Sequence, residues 1–544
     1  MWLGRVGRGD PPRPLGLKTD SGMALGAAVV EQRFETPAEL LGDRLREGSI
    51  YKLLADEGEV MFGDDYFADL YSASALGRPT IPARVMATVM VLQAFEGLSD
   101  AEACDRLEVD LRWQAAAGVH AGYEAFHPTS LVGQRNRLRA SERPRRLFED
   151  TKVAARSAGA LKGRMRVLDS TPVYDAVATQ DTVTQLRAAI RKLLMVLDRE
   201  DSVLAGRVRG ALARDDDYVA AGKPPCDWDD QAAREALVDA LVCDCLAALA
   251  VVEGVELGPR SADAVSLLAL VAGQDVAAGD DGVFRIVRGV ARDRVISTVD
   301  PEARHGHKSL NRRFDGYKCH LSIDPDSELI DEVLATPANT PDRDAVDALV
   351  APLAGEAAPP AVMGDSAYAD GATREHLSEQ GLEIIARCPP VRNATGGFTK
   401  EQFSVDLDAQ RVTCPAGHTA PIRPAAGGGG KASFKPNCRH CPLRELCTPS
   451  HRGRTITVHP HEAFLQQARA EQSSPEWIAR YRQNRPTVER KISHFVRRAW
   501  GGRRARTRGV RRVSTDLDTR AAALNWARLA MLGLRREPSG WVLA

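Results

Sequence analysis

At 544 residues the chain has room for roughly two to four domains of about 150 residues each. An apolar share of 44% suits a globular protein with large cores, and 73 basic residues against 73 acidic ones leave no net charge. No run approaches the roughly 20 apolar residues that a membrane span requires, so no membrane partner is expected.

Residues 1–14 are rich in Arg, Gly and Pro and lack the apolar centre of a secretory signal. Residues 1–35 are therefore expected to be disordered, with Met23 as an alternative start. Without export, the ten cysteines are expected to be reduced in a cytoplasmic protein. The neutral average hides an asymmetry. Residues 480–512 hold thirteen Lys or Arg against one acid, Glu489. Such a stretch fits contact with a polyanion, or a solvated helix face followed by an Arg-rich loop.

Residues 36–150 read as a helical N-terminal domain. Ile81, Val85, Met86, Val89, Met90, Leu92 and Phe95 follow a largely buried helical pattern. Ser99 and Glu102 have capping-box spacing before a second short helix. Helix, short turn, helix is the build of many DNA readers and of plain helical bundles alike; DNA binding is the expectation here. At residues 163–169 the period changes: Met165 to Leu168 reads as a short strand ending in Asp169-Ser170-Thr171-Pro172. Residues 184 to about 276 return to helical patterns, broken at Asp215-Asp216-Asp217 and Lys223-Pro224-Pro225, and read as an insertion over 181–300.

Strands resume after residues 304–308. Tyr317 to Ile323 alternates, Asp324-Pro325-Asp326-Ser327 is a turn, and Leu329 to Ala335 is the hairpin partner. A helix at 342–353, a strand at 361–364, a helix at 372–380 and a strand at 383–386 follow. The order predicts an α/β layered unit with a mixed sheet over 160–400 plus 455–535. Asp169 and Asp365 each follow a short apolar strand, where open α/β sheets bind ligands. Paired carboxylates suit Mg²⁺ or Mn²⁺, although either Asp alone reads equally as a turn or cap residue.

Four segments carry a more specific signal: Val167-Leu168-Asp169-Ser170-Thr171, Phe314-Asp315-Gly316-Tyr317-Lys318, Thr336-Pro337-Ala338-Asn339 and Gly364-Asp365-Ser366-Ala367-Tyr368. Together, and in this order, they resemble the DDE transposases of bacterial insertion sequences, over roughly residues 50–500. The resemblance implies a ribonuclease-H-like fold and a third acid on a C-terminal helix, in a Tyr-x2-Arg-x3-Glu-x6-Lys signature. Here Arg485 and Glu489 match, Tyr481 stands one residue early, and Val496 takes the Lys position with Arg497 beside it. The implied catalytic and metal-binding set is Asp169, Asp365 and Glu489, holding two Mg²⁺ or Mn²⁺ ions. Lys318 and Arg485, as phosphate-binding cations near such a site, Tyr481, and Arg497 and Arg498 of the basic run are the expected DNA contacts. The implied reaction cuts DNA at terminal inverted repeats and joins the 3′-hydroxyl to target DNA, with a homodimer on DNA at the nucleoid. An inactive DNA-binding remnant and a metal-dependent nuclease of the same fold are the competing readings.

Residues 401–454 read as a Cys-rich insert. Cys438-x2-Cys441 has zinc-knuckle spacing, and Cys414 and Cys447 complete a possible structural Zn²⁺ set, with His418 and His440 as substitutes. Reduced, unliganded thiols are the alternative.

Overall fold

The computed structural model describes residues 36–71, 80–162, 164–309, 311–353, 360–393, 396–497 and 502–544. Residues 1–35, expected to be disordered, and Arg498 lie outside the described residues.

A mixed six-stranded sheet organises the middle of the chain. Its strands are β1 (Met165–Tyr174), β2 (Arg304–Ser309), β3 (Arg312–Ile323), β4 (Ile330–Pro337), β5 (Ala361–Gly364) and β6 (Glu383–Ala386). The spatial order is β2-β3-β1-β5-β6. The long β3 pairs with β2 through its first half and with β4 through its second, so those two share one edge of it. β1 runs antiparallel to β3 and parallel to β5, and β5 runs parallel to β6. Consecutive residues Val167 and Leu168 are both fully buried because both faces of the sheet are covered. Val167 enters the main core, built with the N-terminal and C-terminal helices. Leu168 enters a smaller core with Val346, Leu349 and Leu377 on the opposite face.

Three elements differ from the sequence expectation. β1 does not end before Asp169. It continues to Tyr174, because β3 supplies an unbroken antiparallel partner from Val167↔Ile323 to Tyr174↔Gly316. Residues 304–308, expected to precede the strands, are themselves the edge strand β2. The helix expected at 342–353 is three short pieces, 3₁₀ at Asp342–Ala345, α at Val346–Val350 and 3₁₀ at Ala351–Leu353; Pro352 lacks the N–H that would extend the α-helix. The Gly316 of the second quoted segment is explained by close approach. Its φ is +131°, and a Cβ there would stand 2.4 Å from the Val173 carbonyl oxygen.

Helices Thr182–Glu200, Ser202–Ala211, Gln231–Val252 and Pro259–Gln274, with the hairpin Val276–Ala278 and Phe284–Ile286, have a hydrophobic core of their own. The Asp-rich and Pro-rich stretches fall between the second and third of these helices. The N-terminal helices instead share one core with the sheet and with the C-terminal helix Val510–Met531. Asn525 of that helix hydrogen-bonds both backbone groups of Ile330, each at 2.8 Å, and so fixes the start of β4. A five-stranded antiparallel sheet occupies residues 404–458. Among the described residues, no helix is long and apolar enough to cross a membrane.

Candidate active site

β1 and β5 place the two aspartates. Their parallel register pairs Arg166 with Val362 and Val167 with Met363. Asp169 and Asp365 each lie two residues beyond the last of these pairs, close enough for the charge of Asp365 to act on the Asp169 carboxyl. Asp365 caps the 3₁₀ turn Ser366–Tyr368, accepting from the Ala367 N–H at 2.9 Å. Asp169 accepts from the Ser170 N–H at 2.8 Å. Burial pushes the Asp169 carboxyl above its ordinary pKa and the charge of Asp365 adds to this, while Arg485 opposes both.

Arg485 comes from the helix Pro475–Phe495, which starts at an Ser474 cap with Pro475 in its first turn. Tyr481, Arg485 and Glu489 recur every four residues and therefore share a face. The guanidinium of Arg485 lies 2.7 Å from Asp169 Oδ2, donates to the Leu168 carbonyl at 2.7 Å, and stands 3.9 Å from Glu489 Oε1. The early tyrosine still reaches the site. Its hydroxyl is 3.5 Å from the Gly364 carbonyl, next to Asp365, and its ring stacks on Trp477 at 5.0 Å with Arg387 over it at 4.9 Å.

The two aspartates and the glutamate are thus not equally placed. Asp169 is 16% exposed, whereas the Glu489 side chain is 63% exposed, on the far side of the guanidinium. Among the described residues, no three His, Cys, Asp or Glu side chains form a ready metal-binding group. The donor chemistry nevertheless fits a hard dication. Two neighbouring carboxylates, one of them largely shielded from solvent, need a neighbouring positive charge, and Arg485 supplies it here. Lys318 Nζ is held by the Thr340 carbonyl at 2.8 Å and Asp342 at 2.7 Å. Arg497 is exposed, just past the end of the acid-bearing helix.

Sequence reading missed a polar layer beneath Asp169. Ser170 Oγ donates to Asp342 at 3.0 Å, and Asp342 also takes the Lys318 ammonium. His320, paired with Ser170 across the sheet, is fully buried between the Tyr368 hydroxyl at 3.0 Å and Thr336 Oγ1 at 2.9 Å. The available signal was the two-residue period of Lys318, His320 and Ser322 inside an otherwise apolar strand. Burial lowers the His320 pKa to about 4. An unfolded histidine protonates near 6.5, so between these values the unfolded chain binds a proton that the folded chain does not. Stability is therefore full above about pH 6.5 and falls as pH drops towards 4, by on the order of 3 kcal/mol. Denaturant titrations across this range should show that slope in the native chain and a flatter one in His320→Gln; equal slopes would refute the assignment.

Cys414, Cys438, Cys441 and Cys447 line one small cavity together with His418, but they too are not drawn together into a ready metal-binding group. All four are free thiols. Burial, and after it the proximity of the other three thiols, push the Cys447 thiol up, with Arg454 opposing. Cys438 Sγ accepts from the Arg454 N–H at 3.4 Å. Gly453, at φ +79°, permits that approach, since a Cβ would stand 3.1 Å from Cys438 Cβ.

Two family models match parts of the chain. One, described as a transposase DDE domain, covers residues 413–530, which include the cysteine cavity, the acid-bearing helix and most of the C-terminal helix. The other, described as a transposase domain, covers residues 41–137 in the N-terminal helices. No curated protein matches the chain, and no solved structure does. The two matches, at opposite ends of the chain, support a transposase of the DDE type.

Proposed function

We propose that the chain is the transposase of an insertion sequence, which binds terminal inverted repeats, cuts DNA at the element ends and joins the freed 3′-hydroxyl to target DNA. The observation that carries this reading is the register-matched pair Asp169 and Asp365, with a basic side chain from the acid-bearing helix already inserted against it. Asp169 and Asp365 would hold Mg²⁺ or Mn²⁺, with Glu489 completing the set. Such ions, when bound, neutralise phosphate charge and activate the attacking oxygen.

The chain's own part is positioning. Once Asp169 has another counter-charge, Arg485 is free to donate to a phosphate with two parallel N–H groups. Lys318 has three donors, two of them engaged, which leaves one for DNA. Tyr481 lies against the Asp365 strand end, and Arg497 extends the basic surface. The helical insertion, the N-terminal helices and a second copy of the chain on DNA complete the assembly in this reading, which places the protein in the cytoplasm, at the nucleoid when bound.

An assay with pre-cut donor ends and a supercoiled plasmid target tests it. Joined product supports transposition, cutting without joining identifies a nuclease, and neither product identifies an inactive DNA-binding remnant.

The cysteine cavity is part of the proposal, as a structural Zn²⁺ site of Cys414, Cys438, Cys441 and Cys447. Four thiols around one cavity, with an N–H donated to Cys438, support it. Metal analysis of chain purified without chelator should find about one zinc per chain, falling to near zero in Cys438→Ser/Cys441→Ser. A zinc-free native chain would overturn it.

A further inference from the structure

The C-terminal basic stretch does not stand alone. The helix Thr129–Ala140 presents Arg135 and Arg139, one turn apart, to residues 506–512. Two adjoining clefts result, and both are lined by Arg139 and Arg512. Arg135 and Arg506 join them in one cleft, Arg508 and Arg511 in the other. The Arg511 side chain donates to the Arg139 carbonyl at 2.5 Å and ties the two segments, and the Arg506 side chain donates to the Leu98 carbonyl of the neighbouring helical turn.

The acids of these clefts are already engaged. Asp100 pairs with Arg135 at 2.5 Å, Asp516 pairs with Arg520 at 3.2 Å, and Glu302 accepts from the Val510 N–H at 2.9 Å at the start of the C-terminal helix. Among the described residues, no carboxylate lies within 4.0 Å of Arg139, Arg506, Arg508, Arg511 or Arg512. Arg139 feels this crowding: burial, then Arg512, Arg135 and Arg511, lower its pKa. A chain of zero net charge that gathers in one place five guanidiniums with no carboxylate within 4.0 Å, Glu102 and Asp175 acting on Arg506 and Arg508 only from further off, is suited to an external polyanion.

Position identifies the polyanion. The backbone of residues 503–505 brackets the end of β1, with Tyr174 N–H donating to Arg503 at 2.6 Å and Ala505 N–H donating to Tyr174 at 2.7 Å. Tyr174 lies five residues along β1 from Asp169, about 17 Å at 3.3–3.4 Å per residue. That is the rise of about five base pairs of duplex. We propose that Arg139 with residues 506–512 forms a composite backbone clamp for the DNA duplex, engaging phosphates to one side of the cutting site, beyond the far end of β1. The inference rests on the DNA-processing reading above. The clamp carries no sequence information, because phosphates position a duplex without identifying it.

The test is the salt dependence of binding of the full chain to a duplex of arbitrary sequence and about 30 base pairs. Each lost phosphate contact lowers the slope of log K against log salt by about 0.9. Arg139→Ala/Arg508→Ala/Arg512→Ala should lower it by about 2–3 with an unchanged melting temperature. The same charge change at exposed sites of the insertion, Arg199→Ala/Arg207→Ala/Arg260→Ala, should leave it unaltered. Equal slopes in the native chain and the first variant, or equal losses in both variants, overturn the clamp while leaving the proposed function standing. Failure of the native chain to bind duplex at low salt overturns both.

Discussion

Asparagine at position 169 is expected to abolish cutting and joining while duplex binding survives. The substitution keeps the shape of the side chain and the oxygen that accepts from the Ser170 N–H. It removes the charge that Arg485 and, in the proposed reaction, a dication balance. Preorganised charge at a phosphoryl-transfer site contributes several kcal/mol to the transition state. A loss of at least about a thousandfold in joined product, or about 4 kcal/mol, is therefore expected. Strand-transfer rate and gel-shift affinity measured on the same preparation check this. Transfer retained within about tenfold of native would remove Asp169 from the chemistry. Loss of duplex binding in parallel would instead point to a structural role.

The largest expected stability effect lies three residues earlier on the same strand, on the opposite charge. Arg166 of β1 is 1% exposed, with Nε 2.8 Å from Asp331 and Nη1 3.2 Å from Asp324. Both carboxylates are themselves buried, and Arg156 reaches only Asp331, at 3.2 Å. Arg166→Ala strands Asp324 without a cation and weakens the turn it organises through Ser327. Breaking a buried ion pair from one side costs about 3–5 kcal/mol, far more than the pair's net contribution when both partners are present. The midpoint of chemical denaturation should fall accordingly. Arg166→Met, which keeps the volume and not the charge, should fare little better. A change below about 1 kcal/mol would show that the carboxylates find other partners or take up protons.

Part of this architecture is local and was readable. β5 is a short apolar run ending at Gly364 and β6 a short run opened by Gly381-Leu382, and both form where the periodicity puts them. The hairpin turn at Asp324 works because the Asp324 carboxylate accepts from Ser327 N–H at 2.8 Å, chemistry contained within four residues. β1 was readable only in its first half. Asp169-Ser170-Thr171-Pro172 has turn composition, and only pairing with β3, some 150 residues away in sequence, holds it extended.

The sequence by itself determined the candidates for the proposed chemistry: Asp169 and Asp365 at apolar strand ends, Arg485 and Glu489 four apart on one helix, and thiols at knuckle spacing. Local hydrogen bonding and periodicity suffice for that, because each depends on neighbours within a few residues. Tertiary structure alone decided how they meet. The register of two parallel strands sets the aspartates side by side, a helix more than 100 residues further on puts Arg485 between Asp169 and Glu489, and Arg139 joins a basic stretch that lies almost 370 residues beyond it. These are contacts between distant segments, and their placement follows from which faces the cores bury, a property of the folded whole.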